Sequence, residues 1–294
     1  MNISVFSKGI ILASIGSFWW GIIGTIYFHH FSYIGHIELV IHRCIWTSLL
    51  LILTTIYYNK WSIFTHTIKS KKKLFILFLT GILIFSNWSG WIYAVSTDKV
   101  IDASFGYFIM PIINVLFGYI FFKEIINKKR LLSISIVVVT ILYLLIVDFK
   151  SVPLIGIFLS IVWSLYNLLR KKISVDTEIG LLIESFFILP FAIIVFYFIY
   201  KNGFNDFSIS NLNLMGLLML AGPMTVIPLF LYIKGFELSG LGPTGMIFFI
   251  TPTCQFLLGF FYFNEAFSVT NFISFSFIWI AVIIYLKDIY EKNN

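Results

Sequence analysis

Charge is what this sequence has least of. Only 11% of its 294 residues are Asp, Glu, Lys or Arg, while 60% are hydrophobic, and a soluble domain ordinarily carries about 25% charged residues. A mean hydropathy of +0.98 means more apolar surface than a soluble core of this length could hide. Cysteine is nearly missing too. Cys44 and Cys254 each lie inside an apolar run, where a small buried hydrophobe is the expected role and a disulfide or metal pair is not. There is no His-Glu-x-x-His, no Gly-x-Ser-x-Gly elbow and no pair of intramembrane aspartates, so an intramembrane enzyme would lack its nucleophile, base or metal ligands. No Walker motif is present, which removes ATP hydrolysis by this polypeptide. No cofactor and no metal are expected. Long polar segments are lacking as well: the longest loop is roughly 15 residues, which argues against a scaffold or sensor carrying its own soluble domain.

What is there instead is a series of apolar runs long enough to cross hydrocarbon. They are Gly9–Phe28, His36–Tyr58, Leu74–Val95, Ala103–Phe122, Leu131–Val147, Pro153–Leu169, Glu178–Tyr200, Leu214–Lys234, Pro243–Phe263 and Thr270–Leu286. The expected fold class is an all-α membrane protein with ten transmembrane helices. The first run follows a short lead with one lysine and has no small-residue cleavage signal after it, so it reads as an uncleaved helix. The net charge of +7 would suggest nucleic acid in a soluble chain. Here the basic residues sit in short loops, so they set orientation and no nucleic-acid partner is expected. With the N-terminus inside, 16 of the 20 Lys and Arg fall on the cytoplasmic side, and Lys99, Lys150 and Lys201 fall outside. Both termini are therefore expected in the cytoplasm.

The chain also repeats itself. Ala103–Glu124 recurs 141 residues later as Thr244–Glu265, pairing Pro111 with Pro252, Asn114 with Gln255, Gly118 with Gly259 and Glu124 with Glu265. The same offset pairs Trp91 with Tyr232 and Ala94 with Gly235. Five spans per copy is an odd number, so residues 1–149 and 150–294 would enter the membrane from opposite sides, as an inverted repeat.

That offset pairs Arg43 with Glu184, the two charges deepest inside their spans. Charges at such depth are costly unless they face protein or water. One reading is a structural ion pair between spans 2 and 7. The other is a central cavity in which Arg43 takes an anionic group of a substrate and Glu184 a cationic one. Glu38, His42 and Trp46 follow at helical spacing on one face of span 2. His42 either forms a structural hydrogen bond or titrates near neutral pH and couples protons to transport. Asn87, Trp88, Tyr107, Asn114, Tyr166, Asn167 and Gln255 lie too deep for an interfacial belt. They fit either a cavity wall or hydrogen bonding between helices. Pro111, Pro223, Pro228 and Pro252 are candidate hinges, with Gly222-Pro223 and Pro228 making span 8 the most deformable.

Several segments resemble a known family. Each half ends in a Pro-containing helix followed by Phe-Lys-Glu (Phe122–Glu124) or Phe-Asn-Glu (Phe263–Glu265). With the ten-span plan, this resembles the EamA repeat of the drug/metabolite transporter superfamily. Glu38–Trp46, Asn87-Trp88, Ala103–Pro111, Leu165–Arg170, Glu184 with Leu189-Pro190, and Ile250–Leu257 are similar to the RarD-type branch. Met110 departs from that branch, which usually has a polar residue before the proline. The resemblance implies two EamA-like repeats forming a bacterial inner-membrane permease of small organic solutes. Proteins of this branch are often called chloramphenicol-sensitivity proteins. The expected function is a secondary transporter moving a zwitterionic or amphiphilic metabolite or drug by alternating access. A facilitator or exporter of amino acids or related metabolites without ion coupling, and a non-transporting scaffold, are the alternatives. Proton coupling, and monomer against homodimer, stay open.

Overall fold

The computed structural model describes residues 4–31, 33–97, 100–147, 153–173, 175–262 and 269–293, without the side chains of residues 95, 96, 100–102, 104, 105, 259, 271, 292 and 293. Lys99, Lys150 and the second closing motif, Phe263 to Glu265, lie outside the described residues, as do the surroundings of Gly259. All regular structure in the described residues is helical. Nine helical stretches among them are long and apolar enough to cross a membrane, and a further apolar stretch, Gly106–Phe122, is shorter. Outward-facing Ile120, Val139, Ile146, Ile193 and Phe198 give the surface the apolar cover that lipid requires.

The first run is longer than its sequence suggests. Helix α1 (Val5–Phe18) widens into a π-helical stretch, Trp19–Gly24, and continues as α2 (Thr25–His30). A wider turn frees backbone carbonyls, and these find side-chain donors. Thr251 donates to the Ser17 carbonyl at 3.0 Å and Thr25 to the Trp20 carbonyl at 3.1 Å.

Helix α3 (His36–Tyr57) leads to a short amphipathic helix, α4 (Trp61–Lys69), that the sequence reading left as loop. Phe64 anchors it to Phe186, with ring centroids 5.8 Å apart. Helix α5 (Lys71–Ser96) starts at Ser70, whose hydroxyl accepts from the Lys73 amide. Helices α6 (Val100–Phe122), α7 (Lys128–Val147) and α8 (Leu154–Lys172) follow. Helix α9 (Thr177–Lys201) is capped by Asp176, which accepts from the amides of Glu178 and Ile179. The last spans are α10 (Leu212–Met219) with α11 (Ala221–Ser239), α12 (Leu241–Ile247) with α13 (Ile250–Phe261), and α14 (Val269–Asn293). The two breaks fall just before Pro223 and Pro252, which therefore sit in first turns where a missing N–H costs little. Pro111 and Pro228 lie inside unbroken helices.

Helices α3 and α9 run antiparallel, clasped at both ends. At one end Lys60 meets Glu178 at 2.7 Å and Asp176 at 3.3 Å. Burial opposes the Lys60 charge, but these two carboxylates outweigh it and hold its pKa above the usual lysine range. At the other end Glu38 accepts from the amides of Asp206, at 2.8 Å, and Phe207, at 3.0 Å.

The other helices pack as α1 on α11, α5 on α8, α6 on α8, α12 and α13 on the first span, α6 on α12, α7 on α14, α3 on α11 and α5 on α9. Exchanging α1, α3, α5, α6 and α7 for α8, α9, α11, α12 with α13, and α14 maps these main pairings onto one another. Glycine sets the closest crossings. A Cβ on Gly106 would meet the carbonyl oxygen of Gly156 and, at 3.1 and 3.2 Å, its carbonyl carbon and Cα. All three atoms are backbone, so no side chain can yield. Gly106→Ala is expected to lower stability by about 1–3 kcal/mol in detergent unfolding. Gly216→Ala, which has nothing within 4 Å and lies inside α10, should not lower it and gains the helix preference of alanine, about 0.5–1 kcal/mol.

Candidate functional site

Seven residues into α9, Glu184 is buried against α5 and α8. It accepts from the Thr80 hydroxyl at 2.7 Å and the Tyr166 hydroxyl at 3.2 Å, and its Oε1 lies 3.3 Å from Nε of Arg170. The Arg170 contact is a charge pair without hydrogen-bond alignment, since Nε and Nη1 have no aligned acceptor; Nη2 donates to the Thr177 carbonyl at 3.2 Å. Room for this guanidinium comes from Gly180, whose missing Cβ would collide with Arg170 Nη1.

Seven residues into α3, Arg43 is 6% exposed. Its Nε donates to Thr225 Oγ1 at 2.9 Å, and Thr225 donates in turn to the Ala221 carbonyl at 2.8 Å. The guanidinium carbon lies 4.5 Å from the Trp88 ring centroid and 5.0 Å from that of Phe28. Such cation–π contacts return about 2 kcal/mol each when desolvated. Among the described residues, no carboxylate forms an ion pair with Arg43.

Beside Glu184 lies a narrow cavity of about 10 Å³, room for one water molecule. Thr47, Ile84 and Trp88 line it from α3 and α5, and Glu184, Ser185 and Val226 from α9 and α11. Two helices from before residue 150 and two from after it therefore contribute. Among the described residues, no cluster of three His, Cys, Asp or Glu could hold a metal.

Residues 7–146 match the model of the EamA-like transporter family. The chain is 33% identical to Protein RarD of Salmonella typhi over 281 residues, covering 96% of this chain and 95% of that one. It is 31% identical to Protein RarD of Escherichia coli strain K12, covering 96% and 94%, and 30% identical to the uncharacterized transporter YojE of Bacillus subtilis, covering 95% and 93%. The chain belongs to the EamA-like transporter family, in its RarD branch. A solved crystal structure superposes with a TM-score of 0.70 over 95% of this chain and 97% of that chain, at 13% identity, which shows the fold alone. The all-α, multi-pass membrane architecture expected from the sequence is thus that of an EamA-type transporter, and the bacterial relatives imply the inner membrane.

In this EamA-like transporter the first of the two readings, a structural ion pair between Arg43 and Glu184, is not what the described residues form. Helices α3 and α9 are antiparallel, and each residue sits seven positions from its helix N-terminus, about 10 Å along the axis. The two charges therefore lie on opposite sides of the middle. Glu184 takes Arg170 instead, a partner the sequence reading had counted among the loop cations.

His42 lies at the clasp formed by Glu38. Trp46 Nε1 donates to its Nδ1 at 3.1 Å, so the ring proton belongs on Nε2, which faces Glu38 Oε1 at 3.4 Å. Phe196 and Phe207 pack on the ring, with centroids at 5.3 and 4.7 Å. The Trp46 backbone approaches Gly222 so closely that a Cβ there would stand 2.5 Å from its carbonyl oxygen.

Most of the predicted polar wall hydrogen-bonds between helices. Asn87 donates to the Leu159 carbonyl and Asn167 to Asn114, both at 3.4 Å, and Gln255 donates to Thr25 at 3.3 Å. Asn114 donates to the Met110 sulfur at 2.9 Å, so the unusual methionine serves as an acceptor. Tyr107 packs between Trp91 and Phe248, with centroids at 5.2 and 5.7 Å.

Proposed function

We propose that this protein is a secondary transporter that carries a small amphiphilic organic solute across the bacterial inner membrane by alternating access. Its halves are residues 1–149 and 150–294, two inverted five-span repeats with both termini in the cytoplasm. The exchange of helix neighbours between halves and the concentration of Lys and Arg in alternate loops support this arrangement. The observation that carries the mechanism is the narrow cavity, walled by two spans of each half and too small for a solute. A cavity of that kind fits an occluded conformer that opens to either side when the halves rock. Arg43, beside Trp88, would hold an anionic group of the solute. Glu184 and Tyr166 would stiffen the opposite wall.

Access can be tested without knowing the solute. With Cys44 and Cys254 replaced by alanine, Thr47→Cys is expected to react with a membrane-impermeant maleimide both in right-side-out vesicles and in inside-out vesicles. Reaction from one face alone would sink alternating access. Reaction from neither face would favour the scaffold reading.

A further inference from the structure

The charges inside the described part of the molecule nearly all have partners. Arg170 faces Glu184, Arg130 faces Asp288, Lys171 faces Glu124, and Lys60 faces Asp176 and Glu178. Glu38 is held by His42 and two backbone amides. Arg43 stands apart. Of its five N–H donors, the one on Nε is used by Thr225, and no described carboxylate balances its charge, which a guanidinium cannot shed. The side chain of Asp102 lies outside the described residues.

Arg43 is not itself in the cavity wall, but three of its neighbours are. Trp88, under the guanidinium, lines the cavity; so does Thr47, one turn further along α3; and so does Val226, which follows Thr225. The rest of the lining is apolar, with Leu51, Ile84, Leu181, Ile188 and Leu229, except for Ser185 and Glu184. Glu184 has both oxygens occupied, by Thr80 on one and Tyr166 on the other, and its charge is met by Arg170. A substrate ammonium would thus find its only carboxylate among the lining residues already neutralised. Among the described residues the site carries one uncompensated positive charge, and the ligand that balances it has one negative charge and no positive one.

We infer that this site takes a small organic monoanion, with its carboxylate on the free edge of Arg43 and its apolar body against Trp88. The inference rests on the proposed reading in one respect, since the cavity of about 10 Å³ must open to at least one side for the anion to enter. Guanidinium–carboxylate recognition is bidentate and geometric, while lysine offers a point charge. The expected order of recognition is therefore carboxylate alone, then zwitterion, then neutral or cationic analogue.

The test uses the full chain in lipid nanodiscs and four probes that share one body: 3-phenylpropanoate, phenylalanine, 3-phenylpropanamide and phenethylamine. Binding is read by ligand-induced thermal stabilisation. The propanoate is expected to bind the wild type at least about tenfold more tightly than the other three. Arg43→Gln should erase that preference, Arg43→Lys should keep part of it, and Asp102→Asn should leave it intact. Phenylalanine binding as tightly as the propanoate would overturn the inference. So would the absence of binding by all four, or a preference that survives Arg43→Gln or vanishes in Asp102→Asn. Selective propanoate binding with one-sided Thr47→Cys labelling would keep the site and remove transport. Two-sided labelling with a phenylalanine preference would do the reverse.

Discussion

Replacing Arg170 with methionine is expected to cost about 3–5 kcal/mol of stability, while replacing Arg170 and Glu184 together by methionine should cost far less. Both side chains are almost fully enclosed, at 1% and 2% exposure. Removing the cation alone leaves a carboxylate in the membrane interior with two hydroxyls, from Thr80 and Tyr166, as its remaining partners. The two hydroxyls supply hydrogen bonds but no opposite charge, so the buried carboxylate is left uncompensated. Removing both groups abolishes the requirement, because the desolvation penalty of each ion leaves with it. Gly180→Ala reaches the same end by geometry, since the new Cβ takes the space of Arg170 Nη1. The measurement is a double-mutant cycle on unfolding in detergent. A single-mutant loss under about 1 kcal/mol would show that the pair is not a structural hold.

The Arg170 pair also marks where sequence reasoning stopped. Hydropathy located the spans because a bilayer imposes length and apolarity on every crossing. The 141-residue offset located Arg43 and Glu184 as counterparts for a similar reason, since equivalent positions keep equivalent environments. What the offset does not carry is depth. Two antiparallel helices place equivalent residues at mirrored heights, so counterparts meet only when both sit at mid-helix. Each charge lies about 10 Å from its own helix start, and each took neighbours at its own level: Thr225, Trp88 and Phe28 for Arg43, and Arg170, Thr80 and Tyr166 for Glu184.

Arg170 itself was hidden by its neighbours. It stands next to Lys171 and Lys172 at the end of α8, and three consecutive cations read as a solvated loop. Its burial depends on Gly180, ten residues later, and no local pattern encodes that. A weak signal existed: Tyr166 and Arg170 are four apart, so they share a helix face toward Glu184. The π-helical stretch Trp19–Gly24 left no trace in hydropathy, because its stabilising donor, Thr251, comes from the far end of the chain. Helix α4 was missed because its nine residues are too few for a span and too mixed for a run. By contrast, Asn87, Asn114 and Gln255 were legible as buried polar groups. Whether such groups face a cavity or another helix is decided by neighbours that the sequence does not order.

Glu124→Ala is expected to cost about 2–3 kcal/mol, for a different reason. The chain leaves α6 through Lys123 at φ 55°, and the Glu124 amide donates back to the Gly118 carbonyl at 3.0 Å. This turn aims the carboxylate across the molecule at the start of α12. There it accepts from the amides of Leu241 at 2.8 Å and Gly242 at 2.9 Å, and from Lys171 at 2.8 Å. Gly240, at φ 97°, and Gly242 leave the space it occupies, since a Cβ on either would come within 2.8 or 2.9 Å of its oxygens. Alanine would orphan two backbone donors and an ammonium together. Glutamine keeps an acceptor but loses the charge, so about 1–2 kcal/mol is expected. The same clasp joins the end of α6 to α8 and α12, so in the proposed topology it closes the cytoplasmic side. Glu124→Gln should then raise Thr47→Cys labelling from that face several-fold over labelling from the other. An unchanged ratio between the two faces would make Glu124 a hold on the fold with no part in gating.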